Sequence, residues 1–193
     1  MMSSLLKYVH CPGYFIMAVR PIVTAENPLL RQKSKKVTHF GEALHNLVED
    51  MFDTMHAANG LGLAAPQIGV LQRVFIVELP AEYDDKGHEI APEERYVLVN
   101  PEIVKMRGEE EMEEACLSVP GYKGLVKRAT FVVIKGQNLE GKSVRYRAEG
   151  LLAQAFQHEF DHLNGILYLD RLEGPDKLWR IEPQEEESLA AGG

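Results

Sequence analysis

The sequence predicts an α+β fold, because two segments of helical apolar periodicity bracket a middle stretch of β-branched runs and turn signals. In the arrangement expected, mixed, mainly antiparallel strands pack around the later helix, which carries an HExxH motif, and the earlier helix covers one side.

Between residues 39 and 59 apolar side chains recur at Leu44, Leu47, Val48, Met51, Phe52 and Met55, the stripe of an amphipathic helix, which Asn59 and Gly60 stop. GLGLAAPQIG (60–69) is too rich in glycine and proline for regular structure and reads as a loop leading into the strand Val74–Leu79. The polar stretch 80–95, with Asp84 to Gly87 at its centre, reads as an exposed hairpin excursion before the strand 96–100. An acidic run at 109–114 precedes ACLSVPG (115–121). Strands are then expected at 130–135 and 143–148. Residues 150–163 form the second helix, apolar at Leu151, Leu152, Ala155, Phe156 and Phe160, and capped by Asn164 and Gly165.

Outside this body, residues 1–17 lack the patterning of the rest of the chain and read as an N-terminal extension, with Met17 and Ala18 a candidate start. Residues 173–193 read as an acidic, flexible tail, with Pro175, Pro183 and Glu185 to Glu187.

With 193 residues, 45% of them hydrophobic, the chain has the size of one domain that folds without staples. Cys11 and Cys116 form neither a disulfide framework nor a CxxC pair, so a reducing compartment is expected. No apolar run approaches the ~20 residues that span a bilayer, and a cytoplasmic protein without membrane association is expected. The net charge of −8, with no basic stripe interleaved by aromatics, argues against direct nucleic-acid binding.

Chemistry enters with HEFDH (158–162). Residues four apart share one helix face, so His158 and His162 can reach a single ion, with Glu159 beside the metal-bound water. The bland alternative requires separate hydrogen-bond partners for two histidines and a glutamate on a largely apolar helix. A catalytic metal of this type needs a third ligand and an open position. Tyr168 stands where a metzincin would carry its third histidine. A thermolysin-like glutamate has little downstream chain to come from, which leaves a zinc protease as second choice. Cys116 is the remaining donor, with a small buried hydrophobe as its plain reading.

Three segments, GLGLAAPQ (60–67), EACLS (114–118) and QHEFDH (157–162), together resemble the signature of the peptide deformylases, and the likeness extends over residues 19–172. It implies a catalytic domain of 18–172 that hydrolyses the N-formyl group of formylmethionine on newly made proteins and releases formate. It implies Cys116, His158 and His162 as ligands of one divalent ion per chain, Fe2+ first, with Zn2+, Ni2+ or Co2+ tolerated. Glu159 becomes the acid/base, and Gln67 and the Leu117 N–H become donors to the formyl oxygen. Gly62 admits the substrate backbone, and Leu61, Leu125, Gln154 and Ala155 are candidate walls of the methionine pocket. Ala115 departs from the family's usual glycine beside the metal cysteine. The partners implied are N-formylmethionyl nascent chains. The acidic tail lacks the basic helix by which some members dock on the ribosome, so any ribosome proximity is expected to be transient.

Overall fold

Strand alternation divides the apolar residues of the middle of the chain between two helices. The computed structural model describes residues 19–181, so the expectations for residues 1–17 and for the end of the tail lie outside the described residues. Ten strands are found there: β1 (Gly62–Ala64), β2 (Val74–Leu79), β3 (Glu82–Tyr83), β4 (Glu89–Ala91), β5 (Glu94–Arg107), β6 (Glu110–Cys116), β7 (Val119–Arg128), β8 (Phe131–Gln137), β9 (Ser143–Glu149) and β10 (Leu178–Arg180). The helices are α1 (Glu42–Ala57) and α2 (Gly150–His162), with short 3-10 turns between elements. One sheet has the order β1-β2-β5-β8-β9, a second β10-β7-β6, and β3 and β4 form a separate hairpin. All of these pairings are antiparallel.

In β2, Val74 and Ile76 pack with Leu44, Leu47, Val48, Met51 and Met55 of α1. Phe75 and Val77 point to the other face and pack with Ala153 and Phe156 of α2. The larger sheet is thus held between two helices.

Both helices end as their sequences suggest. Asn59, at φ 51°, follows α1 in the left-handed region, and the Gly60 N–H returns to the Met55 carbonyl at 2.9 Å. Gly165, at φ 75°, does the same after α2, with the Ile166 N–H on the Asp161 carbonyl at 3.0 Å.

Several expectations shift. The glycine-rich segment contains β1, three residues paired with β2, followed by a 3-10 turn at Ala65–Ile68. The acidic run is strand β6, paired along its length with β7. Of the tail expected from residue 173, Gly174 to Arg180 takes a short turn and the strand β10 on β7. The stripe of α2 is also not the one expected. Leu151 is half exposed, while Gln157, His158, Glu159, Asp161 and His162 are buried.

Buried charge joins the small sheet to α2. The Arg128 guanidinium on β7 donates to both carboxylate oxygens of Glu114 on β6, at 2.7 and 2.9 Å, and to Asp161 on α2 at 2.6 Å. All three side chains are at most 5% exposed. Arg171, after α2, adds a second fork to Asp161. Burial alone would raise the Glu114 carboxyl, but the hydrogen bonds from His158 and Arg128 outweigh it and hold it at about 2.

Two outcomes test these supports. Arg128→Met leaves two buried carboxylates short of a cation and lowers stability by about 3 to 5 kcal/mol in chemical denaturation; a loss under about 1 kcal/mol contradicts the role given to the fork. In Gly165→Ala the new methyl would lie 2.4 Å from the Arg31 carbonyl oxygen at a positive φ, and the melting temperature falls by several degrees.

Candidate active site

The candidate ligand set comes from two elements that the buried charges bring together. Cys116 ends β6, and the two-residue turn Leu117-Ser118 leads directly into β7, where Val119 pairs with Cys116. His158 and His162 lie one turn apart on α2. One ligand atom from each of Cys116, His158 and His162 lies within 4.8 Å of the others, all buried, and Cys116 Sγ is 3.3 Å from His162 Nε2. A thiolate and two imidazoles with this spacing suit Zn2+ or Fe2+ and leave a coordination position open. Two buried polar atoms at the site, Glu159 Oε2 and His162 Nδ1, have no protein hydrogen-bond partner, as befits a place where further polar groups bind.

The ligands are oriented from behind. His158 Nδ1 lies 2.8 Å from Glu114 Oε2, so Nδ1 carries the proton and Nε2 is left to face an ion. Glu114 therefore serves both Arg128 and a ligand. Gln67, buried in the 3-10 turn after β1, accepts from the Ala64 N–H through Oε1 at 2.8 Å. Its Nε2 then points to Ser118 Oγ at 3.3 Å and to Cys116 Sγ at 3.6 Å. Leu117 lies in the turn between β6 and β7 and borders the same space. The segment before α1 ties these loops together, Val23 N–H donating to the Gln67 carbonyl and Ala25 N–H to that of Ser118, each at 2.8 Å.

Glu159 is buried beside the histidines, and desolvation pushes its carboxyl up to about 7, with nearby His158 pulling the other way. Gly62 of β1 makes room for it: a Cβ there would sit 2.6 Å from Glu159 Oε1. The close approach expected of this glycine is thus made, in the first place, by the enzyme's own carboxylate.

A cavity of about 500 Å³ opens over this constellation, lined by Leu61, Gly62, Gln67, Cys116, Leu117, Gln154, Ala155, His158 and Glu159. Leu125 does not line it. It sits on β7 between the buried Gly124 and Val126, and the two-residue period of a strand turns it to the opposite face. Gln154 is held at the rim by donating to the Glu113 carbonyl at 2.7 Å, which explains a polar group in an otherwise apolar wall. Tyr122, Leu151 and Ile181 also line the cavity; their sequence surroundings gave no sign of it, Leu151 reading there as one more residue of the α2 stripe. Ala115 pairs with Lys123 just before the register shift at Cys116 and has no positive φ, so its backbone does not require glycine.

The polypeptide deformylase family model matches residues 19–178. A peptide deformylase of Thermomicrobium roseum is 46% identical over 175 residues, 91% of this chain and 98% of that protein. The crystal structure of a peptide deformylase from Legionella pneumophila has a TM-score of 0.71 and 41% identity, covering 90% of this chain and 92% of that one. A class I type b peptide deformylase from Acinetobacter baumannii, determined with Met-Ala-Ser bound, has a TM-score of 0.73 and 36% identity over 81% of this chain and 100% of that one. The buried cluster of Cys116, His158 and His162 and these likenesses along nearly the whole described chain agree: the chain belongs to the polypeptide deformylases, metal-dependent hydrolases that remove the formyl group from the N-termini of proteins.

Proposed function

We propose that Cys116, His158 and His162 hold one divalent ion per chain, Fe2+ in the cell, and that Glu159 is the acid/base of formyl hydrolysis. The observation that carries this reading is the joint burial of the three ligand atoms within 4.8 Å of one another beside a carboxyl group raised to about 7. When bound, the ion supplies Lewis acidity to water and to the formyl oxygen.

Glu159 takes a proton from the attacking water as its oxygen adds to the formyl carbon. The carbonyl π electrons move to the oxygen, which receives hydrogen bonds from Gln67 Nε2 and the Leu117 N–H; removing one such donor typically costs about 100- to 1000-fold in rate. As the C–N bond breaks, Glu159 passes the proton to the departing amine, leaving formate and a free N-terminus. A carboxyl poised near neutral pH does both halves of that transfer, which an ordinary solvated glutamate does less well.

Leu61 and Ala155 form walls for the methionine side chain, with the amide of Gln154 at the rim, and Gly62 admits the peptide backbone alongside Glu159. The Met-Ala-Ser complex of the Acinetobacter baumannii relative supports a methionyl peptide as the occupant. The catalytic unit runs from residue 18 through the body of the chain, with β10 completing its small sheet. Nascent chains are the substrates, met in the cytoplasm during transient approach to the ribosome and without a basic C-terminal docking helix. The helix that carries HExxH is the centre around which the strands are organised.

Formate release from formyl-Met-Ala-Ser by anaerobically iron-loaded protein is the direct test. Glu159→Ala is expected to keep one ion per chain and to lose at least about 100-fold in kcat; undiminished turnover would remove Glu159 from the mechanism. Gly62→Ala, whose methyl would displace that carboxylate, is expected to lose activity by a comparable factor with metal content unchanged. Cys116→Ser should instead fail first in metal retention, measured by elemental analysis after gel filtration.

A further inference from the structure

The face of the larger sheet opposite α2 is only partly covered, because α1 packs chiefly on β1 and β2. Over β5, β8 and β9 that face is open, and alternation gathers cations on it. Lys105 of β5 lies opposite Val133 of β8, which lies opposite Arg147 of β9. In the next row Arg107 lies opposite Phe131, and Phe131 opposite Glu149. Arg145, two residues before Arg147, projects to the same side. Lys105, Arg107, Arg145 and Arg147 are all exposed, and among the described residues none of the four is held in an ion pair. Glu149 shares the patch. The neighbouring Lys135 is paired with Glu102 at 3.1 Å.

Two features give the chemistry of the partner. The floor is closed: Val133 is 3% exposed and Phe131 is half-buried, so the surface presents charged heads above covered apolar stems. It has no large exposed apolar side chain of the kind that anchors a protein interface or inserts into a lipid surface. The cations also form two rows, on β5 and β9, set two inter-strand steps or about 10 Å apart. Double-stranded RNA offers two rows of phosphates across a narrow groove, and guanidinium groups bind phosphate bidentately.

We propose that this face of β5, β8 and β9 docks the phosphate backbone of structured RNA. The net charge of −8 conceals it, because two pairs of cations lying far apart in sequence become neighbours only through the β5-β8-β9 pairing. The surface is separate from the hydrolytic cavity and stands or falls independently of the reaction assigned there.

The test measures binding of the full-length protein to a fluorescein-labelled RNA duplex by anisotropy across a salt series. Four phosphate contacts give a log–log salt slope of about −3.6, so affinity drops roughly 150-fold between 50 and 200 mM salt. Arg145→Ser/Arg147→Ser should weaken binding about 10-fold or more and reduce the slope to about −2, while formate release from a short formylated peptide stays unchanged. No binding at 50 mM salt, or equal binding by the double variant, overturns the proposal. So does equally tight, equally salt-sensitive binding of polyglutamate or of phosphatidylglycerol vesicles, which would make the partner an acidic polypeptide or a lipid surface.

Discussion

A guanidinium buried between two carboxylates is the constraint on which the rest of this structure depends. Arg128 sits on β7, its partners on β6 and α2, so the contact fixes the small sheet relative to the helix that bears both histidines. Taking such charges out of water costs several kcal/mol each, and only their mutual geometry offsets it. The arrangement therefore tolerates little displacement. It continues into the site, since the Glu114 oxygen that meets Arg128 Nη2 also meets His158 Nδ1. Ligand orientation and the docking of two layers are one problem with one solution.

The same logic explains an unusual helix. Five consecutive or near-consecutive polar residues of α2 are buried, a pattern that periodicity alone would reject. Gln157 shows how each is made acceptable: its amide accepts from the Ala129 N–H at 3.0 Å and donates to the carbonyls of Ala129 and Ala153 at 2.9 and 2.8 Å. Glu159 Oε2 is left unpaired, and its desolvation is what raises the carboxyl towards neutrality.

Much of this was legible in the sequence, and the limits have physical causes. The α1 stripe, the β2 run and the strands β8 and β9 carry clear periodicities, and Asn59 and Gly165 mark helix ends where a left-handed residue is required. HExxH is local, so the shared helix face of His158 and His162 is legible from spacing alone. The charges that orient them are not, because Glu114, Arg128 and Asp161 meet only in three dimensions. Strand β6 was hidden by the same charges: the residue that breaks its alternation, Glu114, is buried because Arg128 neutralises it. Leu125 was misplaced because a one-residue difference in a strand exchanges faces, and its register was not visible without β6.

The hydrogen bonds from Val23 to Gln67 and from Ala25 to Ser118 have a kinetic meaning. They complete a centre whose parts come from near residues 23, 64, 116 and 160, so the contacts that join those parts are far apart in the chain. Closing such long loops is entropically late work, and little of the centre can exist before α2 has been made and has reached the two sheets. The folding barrier should therefore be crossed with the sheet and its helices partly formed and Cys116 still apart from α2, which places the assembly of the thiol, the histidines and the carboxylate on the native side of that barrier.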